Sequence, residues 1–454
     1  MAPALIWSGW VLVNGASKTV PPELIIIPFL VCPFLYWFLV QLGRKEITSF
    51  TANAIADSGT ESAQPKPKPL SPINAAEEVS LRDCFPWSIF CLRDLEFRPQ
   101  AVICRGQLRT NPEAAYQAIR ENVERHFGDR FLVIFQNSLS GQPFFAIVPN
   151  PSHKSGENAV KIEPVTRPFF ALALVLITVF TTTIVGAQIA GVTEKALQSN
   201  PSILLQGLPY SLALIAILGF HESGHYLAAK FYKIRTTLPY FIPIPFFLGT
   251  FGAFIQMRSP IPNRRALFDI SIAGPFAGLI VAVPLLIWGL DHSTLIPLSD
   301  KSGMLNFDSF SPKFSLLMTL LSKLTLGGAL NAETAINLHP VAVAGYLGLI
   351  VTAFNLMPVG QFDGGHIVHA MFGQKASMAI GQVARLCMLL LGFLEQGLLL
   401  WAIILFLTPL NDEPALNDVS ELDNRRDFLG LLAIGLLLII LLPAPKVLIQ
   451  WLNV

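Results

Sequence analysis

The chain alternates between long apolar stretches and short polar connections, and this pattern predicts most of its elements. Three stretches hold no Asp, Glu, Lys or Arg: 168–193, 196–220 and 270–290. Each approaches or exceeds the roughly 20 residues that a helix needs to cross the hydrocarbon core of a bilayer. Membrane spans are predicted at 24–43, 168–193, 203–230, 268–290, 339–370, 378–408 and 428–450. A further apolar segment, 312–332, contains Lys323 and favours an interfacial helix. The predicted fold class is an α-helical polytopic membrane protein with about seven spans, within a range of roughly six to eight.

Between the first and second spans the pattern predicts a linker followed by a small soluble α+β domain. Residues 44–80 are rich in Ala, Ser, Pro, Lys and Glu, a composition typical of a flexible linker. Residues 81–165 form the predicted domain, with a strand at 101–109, a helix from the N-cap Asn111 to 127, and a hairpin of 130–136 with 142–149. The other predicted regions are 1–43 with the first span, a membrane core at 166–410, and an acidic loop with the last span at 411–454.

The charges of the connections predict a topology. The connection 230–268 carries six basic residues and no acid, whereas 411–424 carries five acids and no base. Because Lys and Arg are enriched in cytoplasmic loops, 230–268 is expected inside. Alternating spans then place 411–424 outside and the 81–165 domain in the cytosol.

The composition agrees with a membrane protein and excludes several other classes. Of the 454 residues, 52% are hydrophobic and 13% are charged, and the net charge is +1. Soluble domains usually have about 25% charged residues. Soluble enzymes, nucleic-acid-binding proteins and secreted disulfide scaffolds are therefore not expected, and the five cysteines show no metal-binding spacing. No basic segment precedes the first apolar run, so we expect no cleavable signal or transit peptide.

The strongest chemical motif is His221-Glu222-Ser-Gly-His225, directly after an apolar run. Histidines four positions apart lie on one face of a helix and can bind one zinc ion. Glu222 is placed to take a proton from water activated by that ion. Because ionisable groups inside a membrane helix are costly, they usually have a function.

Two histidines leave zinc without a third protein ligand, and the sequence offers three choices. The segment from Asn355 to His366, NLMPVGQFDGGH, contains Pro358 and Gly360, which predict a break in the span. Asp363 in this break is the preferred third ligand, with water as the fourth. His366 and His369, one and two turns later, remain alternatives on spacing alone.

These motifs together resemble the site-2 protease family of intramembrane zinc metalloproteases. An HExxH within an apolar helix is followed by NxxPxxxxDGG, and the segments 239–257 and 271–278 add to the likeness, which runs through 165–410. The resemblance is strongest to the plastid and cyanobacterial branch. Unlike many bacterial relatives, the chain shows no PDZ domain between the catalytic spans.

The resemblance implies a site and an activity. His221, His225 and Asp363 would bind Zn²⁺, Glu222 would act as general base and acid, and Asn355 would bind the substrate carbonyl or its oxyanion. The expected activity is a metalloendopeptidase that cleaves membrane proteins within or near their transmembrane helices in the lipid bilayer. The alternatives are a membrane metal-ion transporter and a catalytically silent scaffold. A plasma or thylakoid membrane of a cyanobacterial type of cell is favoured over a plastid membrane. The sequence does not predict the oligomeric state.

The segment 239–257 predicts how a substrate is held. Three prolines disfavour a helix at its start, and GTFGAFIQM at 249–257 suits an extended strand. An unwound substrate could add a strand there, because extended peptides commonly pair with an exposed sheet edge. The alternative is a loop that only fills space within the helix bundle.

Overall fold

The computed structural model describes residues 73–138, 141–150, 167–244, 248–299, 302–304, 306–394, 396–410, 412 and 414–454. The predicted first span at 24–43, and residues 44–72 of the predicted linker, lie outside this part of the chain.

The small α+β domain is present as an antiparallel sheet of four strands in the order β1-β2-β4-β3. Its elements are α1 (Ala75–Asp83), β1 (Phe90–Arg98), β2 (Ala101–Leu108), α2 (Pro112–Phe127), β3 (Phe131–Asn137) and β4 (Pro143–Pro149). The predicted hairpin and the helix capped by Asn111 are both confirmed. The linker prediction is wrong for residues 75–80, which lie in α1. Glu77 caps this helix by accepting a hydrogen bond of 2.9 Å from the backbone N–H of Asn74.

The remaining elements are mostly apolar helices. They are α3 (Pro168–Ile189), α4 (Glu194–Ser199), α5 (Leu208–Phe231), α6 (Arg264–Asp291), α7 (Leu316–Leu326), α8 (Pro340–Asn355), α9 (Asp363–Phe372), α10 (Gln374–Leu394), α11 (Gln396–Leu407), α12 (Asn424–Leu441) and α13 (Lys446–Leu452). Two small antiparallel sheets accompany them, formed by β5 (Tyr240–Pro243) with β6 (Thr250–Phe254), and by β7 (Thr294–Pro297) with β8 (Thr334–Asn337). No inserted soluble domain lies among the described residues between α5 and α9.

In the described part of the chain, four helices are long and apolar enough to cross a membrane. They cover Pro168–Ile189, Pro201–Phe231, Arg264–Asp291 and Gln374–Phe393, and α12 with α13 makes a fifth if this pair, bent by 72°, is one span. The described residues therefore hold four or five candidate spans, where the sequence predicts six, and the predicted total of about seven is not confirmed. The predicted span at 339–370 is two helices, α8 and α9, separated at the expected break.

The prediction of one span at 378–408 is wrong, because this stretch folds into the helical hairpin α10–α11. Arg385 in α10 donates a hydrogen bond to the carbonyl of Thr408, beyond the end of α11. Gly381 near the start of α10 lies close to Leu410. The chain thus returns to the end of the bundle from which α10 starts.

The hairpin also corrects the predicted topology. Leu416 and Asn417 of the acidic loop donate backbone hydrogen bonds of 2.9 and 3.0 Å to the carbonyls of Ile261 and Pro262. Segments in such contact cannot lie on opposite faces of a membrane. The sequence predicts 411–424 outside and 230–268 inside. This prediction is wrong, because the two segments lie on the same side. Charge counting failed because the acids of this loop are paired within the protein, for example Asp412 with His369.

The centre of the membrane region is formed by α5, α6 and α8, which pack against one another. Their contact faces supply much of the main hydrophobic core, including Leu214, Leu286 and Leu347. The helices approach closely, so that a Cβ on Gly345 of α8 would lie 2.7 Å from the Cβ of Leu286 on α6. This tight packing gives a rigid frame for polar groups placed between the helices.

Candidate metal centre

Helix α5 carries His221, Glu222 and His225 in its second half. The two histidines are one turn apart on the same face, and their side chains point to a common position with Nε2 atoms 3.2 Å apart. All three residues are buried, with His221 only 3% exposed. A polar group buried this deeply in an apolar helix needs a specific partner.

That partner is Asp363, the first residue of α9. Its Oδ2 lies 3.5 Å from Nε2 of His221 and 3.3 Å from Nε2 of His225. In the described part of the chain, these three residues form the one group of His, Cys, Asp or Glu able to share a metal ion. The structure therefore brings together the three residues that the sequence singled out.

The geometry of this cluster fits zinc. Zinc bonds of about 2.0–2.1 Å in a tetrahedron place neighbouring ligand atoms roughly 3.3–3.4 Å apart. The three separations of 3.2, 3.3 and 3.5 Å are close to that value. Two imidazoles and one carboxylate are also a ligand set that leaves a fourth position for water in catalytic zinc sites.

Helix α6 orients His225 from behind. The Nδ1 of His225 lies 2.7 Å from the carbonyl oxygen of Ile270, so the ring donates there and turns Nε2 toward the cluster. Gly274 allows this contact, since a Cβ at Gly274 would lie 2.0 Å from Nε2 of His225. Sequence reasoning assigned no role to Ile270 or Gly274. The run SIAGPFAG was the available signal, because small residues on a membrane helix indicate close approach of another helix.

The break between α8 and α9 sets the position of Asp363. Gly360 has φ +52° and lies so close to Pro409 that a Cβ would be 1.9 Å from the Pro409 carbonyl oxygen. Only glycine adopts this conformation in that space without strain. The backbone N–H of Phe362 then bonds the carbonyl of Val359 at 3.2 Å, and α9 begins at the next residue.

Asn355 ends α8 at the edge of the cluster. Its Nδ2 lies 3.1 Å from Nε2 of His221, the nitrogen that faces the shared position. An amide N–H at this place could donate to a carbonyl oxygen that enters beside a metal ion.

His366 and His369, the two alternative ligands, lie elsewhere. The Nδ1 of His366 is 2.8 Å from Asp412 Oδ1, and His369 is bonded to Asp412 and Asp418. The side chains of both histidines are thus directed to the acidic loop and not to His221 and His225.

The sheet of β5 and β6 runs past the site. The backbone of Ile255, directly after β6, is within hydrogen-bonding reach of the Glu222 carboxyl. Thr181 of α3 and Tyr210 of α5 fix the turn between the strands by donating to the carbonyls of Gly249 and Leu248 at 2.7 and 3.0 Å. Because water is scarce in a bilayer, backbone carbonyls at this depth need such partners.

A His₂Asp cluster with an adjacent carboxylate, buried among apolar helices, has the ligand set and the burial of a catalytic type of metal centre. Residues 209–394, which include the whole cluster, match the model of Peptidase family M50. This match covers less than half of the chain, and it shows that the stretch holding the cluster is similar to that peptidase family.

The chain is also similar to proteins that are named as probable zinc metalloproteases. Over 240 residues, 52% of this chain, it is 39% identical to "Probable zinc metalloprotease EGY1, chloroplastic" of Arabidopsis thaliana, covering 43% of that protein. Over 368 residues, 80% of this chain, it is 28% identical to "Probable zinc metalloprotease EGY2, chloroplastic" of Oryza sativa subsp. indica, covering 65% of that protein. The chain thus spans less than two thirds of the length of these relatives. No solved structure matches the chain.

Proposed function

We propose that this protein is an intramembrane zinc metalloendopeptidase that hydrolyses peptide bonds within or near the transmembrane helices of membrane-protein substrates. The observation that carries the proposal is the convergence of His221, His225 and Asp363 beside Glu222, on helices with apolar surroundings. The match to a peptidase family supports hydrolysis over the transport of metal ions.

In this proposal each residue has a role set by its position. His221, His225 and Asp363 hold Zn²⁺, which when bound supplies the Lewis acidity that activates water and polarises a carbonyl. Glu222 accepts the proton of the attacking water and later delivers a proton to the amine of the leaving peptide. Asn355 donates an N–H to the carbonyl oxygen of the scissile bond as negative charge develops there.

The exposed strand of the β5–β6 sheet is the proposed substrate site. A helical substrate hides its backbone groups in internal hydrogen bonds, so it must unwind before Glu222 can act on it. Phe251 and Phe254 of β6 are 64% and 46% exposed, and the strand leads directly to Ile255 beside Glu222. A substrate that pairs with this strand would be extended, and its backbone would lie beside Glu222 and the proposed zinc ligands.

We also propose that the protein crosses the membrane several times, with 24–43 as its first span and the small domain in the cytosol. The basic connection between α5 and α6 favours the cytosolic side, and the hydrogen bonds between the acidic loop and that connection support the same side for the loop. The host membrane that we expect is a plasma or thylakoid membrane. The relatives named above are termed chloroplastic, and that location is theirs.

Cleavage of model substrates in liposomes tests the proposal. The purified full-length protein is mixed with single-span proteins, and the product masses locate the cut. We expect cuts within or next to the span that stop when a zinc chelator is added and resume with zinc. Cuts confined to soluble loops, or cleavage that withstands the chelator, would contradict the proposal.

The same liposomes distinguish a protease from the alternative, a metal-ion transporter. Zinc uptake into sealed vesicles is compared for the unmodified protein and Glu222→Gln. Our proposal expects no uptake above that of empty vesicles in either sample. Uptake that persists in Glu222→Gln, with no proteolysis by the unmodified protein, would favour the transporter.

A further inference from the structure

The acidic loop after the α10–α11 hairpin is fastened to the helix that carries Asp363. We refer to its described residues, 409, 410, 412 and 414–420, as the strap. Its Asp412 Oδ2 lies 2.7 Å from Nδ1 of His369, and its Asp418 Oδ2 lies 3.2 Å from Nε2 of the same ring. His369 is fully buried, and both of its ring nitrogens face carboxylates of the strap.

Further contacts extend this attachment along α9. His366, one turn before His369, has its Nδ1 2.8 Å from Asp412 Oδ1. Arg264, at the start of α6, donates a hydrogen bond of 3.2 Å to the backbone carbonyl of His369. Helix α9 has only ten residues, so contacts at two of its turns restrain its first residue, Asp363, as well.

The other side of the strap joins the small domain. Phe135 of β3 donates a backbone hydrogen bond of 2.7 Å to the carbonyl of Leu416, and Asp418 donates one of 2.9 Å to the carbonyl of Phe135. Strand β3 is an edge of the four-stranded sheet, so the strap adds a short parallel partner to that edge. Leu416 and Val419 also pack against the core of the domain.

The strap therefore contacts both the small domain and α9, the helix that begins with Asp363 of the metal centre. A buried ion pair that loses one partner leaves an uncompensated charge, which strongly destabilises the arrangement around it. The nearest element free to move with His369 is α9 itself, with Asp363 at its other end.

We propose that His369 is a positioning residue for Asp363, and that the small domain contributes to the geometry of the metal centre by holding the strap. This inference rests on the proposed function only in taking His221, His225 and Asp363 as the metal ligands. It gives the small domain a function that its own residues do not suggest.

Cobalt binding to the full-length protein tests this inference without any substrate. The metal is removed with a chelator, Co²⁺ is added, and the visible absorption of tetrahedral Co²⁺ gives both the affinity and the geometry. The variants are His369→Gln and Asp418→Asn, which break the contact with α9, and Leu416→Ser, which weakens the contact with the small domain. His292→Gln, at the far end of α6 on an exposed site, is the matched control.

We expect the three strap variants to bind Co²⁺ about 10-fold more weakly, as is typical when groups that orient ligands are lost. Their absorption bands should also shift, whereas His292→Gln should match the unmodified protein. A merely structural contact would lower the melting temperature and leave the spectrum of the folded protein unchanged.

An unchanged affinity and spectrum in Asp418→Asn would overturn the role of the ion pair. If His369→Gln does not fold, Asp418→Asn alone tests that role. The same result in Leu416→Ser would overturn the role of the small domain. If the unmodified protein showed no tetrahedral Co²⁺ at all, the metal centre and the proposed function would fail instead.

Discussion

Gly274 of α6 lies against the imidazole of His225 of α5, where a Cβ would be 2.0 Å from Nε2 of the ring. Replacing Gly274 with Ala would therefore displace the ring from the shared position of the cluster. We expect Gly274→Ala to lose about 10-fold or more in zinc affinity, measured by competition with a chelating dye.

A matched control separates this effect from helix propensity. Gly435 of α12 has no atom within 4 Å of an added Cβ, so Gly435→Ala should keep full zinc affinity. It should also be as stable as the unmodified protein or more so, because Ala favours a helix by about 1 kcal/mol over Gly. Equal zinc affinities for the two variants would contradict the proposed contact.

Asn355 should act on the reaction and not on metal binding. Its amide lies beside His221 but is not one of the three clustered ligands. Loss of a donor to a developing oxyanion typically lowers kcat about 10²–10³-fold. We expect Asn355→Ala to show such a loss with zinc content and KM nearly unchanged. A normal kcat would remove Asn355 from the mechanism, and loss of zinc would make it part of the metal site.

The turn between β5 and β6 should control substrate binding. Thr181→Val removes the hydroxyl that bonds the carbonyl of Gly249, which leaves that carbonyl without this partner. The backbone N–H of Ile244 still donates to that carbonyl at 3.1 Å, so the change removes one hydrogen bond, worth about 0.5–1.5 kcal/mol, and the strand should become less ordered. We expect a higher KM for helical substrates with zinc affinity unchanged.

Thr183→Val is the matched control for this test, because the Thr183 hydroxyl bonds the carbonyl of Val179 in its own helix. It should behave as the unmodified protein does. If Thr181→Val and Thr183→Val gave the same KM, the sheet would have no special part in substrate binding.

The attachment of the strap to α9 should weaken in acid. Burial alone would raise the pKa of Asp412, but the close contact with His366 and the hydrogen bond from His369 outweigh it and hold that pKa at about 2. The pKa of an unfolded Asp is about 3.9. Because the folded value is lower, this carboxylate stabilises the folded state fully above about pH 4 and loses its contribution as the pH falls toward 2.

Melting curves of the unmodified protein and Asp412→Asn check this expectation. The difference in Tm should be largest near about pH 6 and should shrink as the pH is lowered below about 4. Asp291→Asn, a change at a side chain that is 69% exposed, controls for the loss of one acid. A difference for Asp412→Asn that stays constant with pH would contradict the role of its carboxylate.

Much of the site could be predicted from the sequence because its chemistry is local. The spacing of His221 and His225 on one helix face follows from helical periodicity, and the break before Asp363 follows from Pro358 and Gly360. The choice of Asp363 over His366 could not be settled by spacing. It depends on Asp412, whose approach to α9 no local pattern shows.

The hairpin and the topology could not be predicted for a related reason. Apolar periodicity does not distinguish one span from two helices that turn back within the same stretch. Arg385 was the available signal, since a buried guanidinium in an apolar run needs an acceptor, and here the carbonyl of Thr408 supplies it. The acidic residues of the strap led to the prediction of an outside loop because their partners, such as His369, are distant in the sequence.

The central claim is that His221, His225 and Asp363 hold a zinc ion on which Glu222 acts as proton carrier. The most direct measurement is zinc content and substrate cleavage in the same purified samples of the unmodified protein, Glu222→Gln and Asp363→Ala. We expect one zinc per chain with cleavage in the first, one zinc without cleavage in the second, and neither in the third. Cleavage by Glu222→Gln, or full zinc content in Asp363→Ala, would contradict the claim.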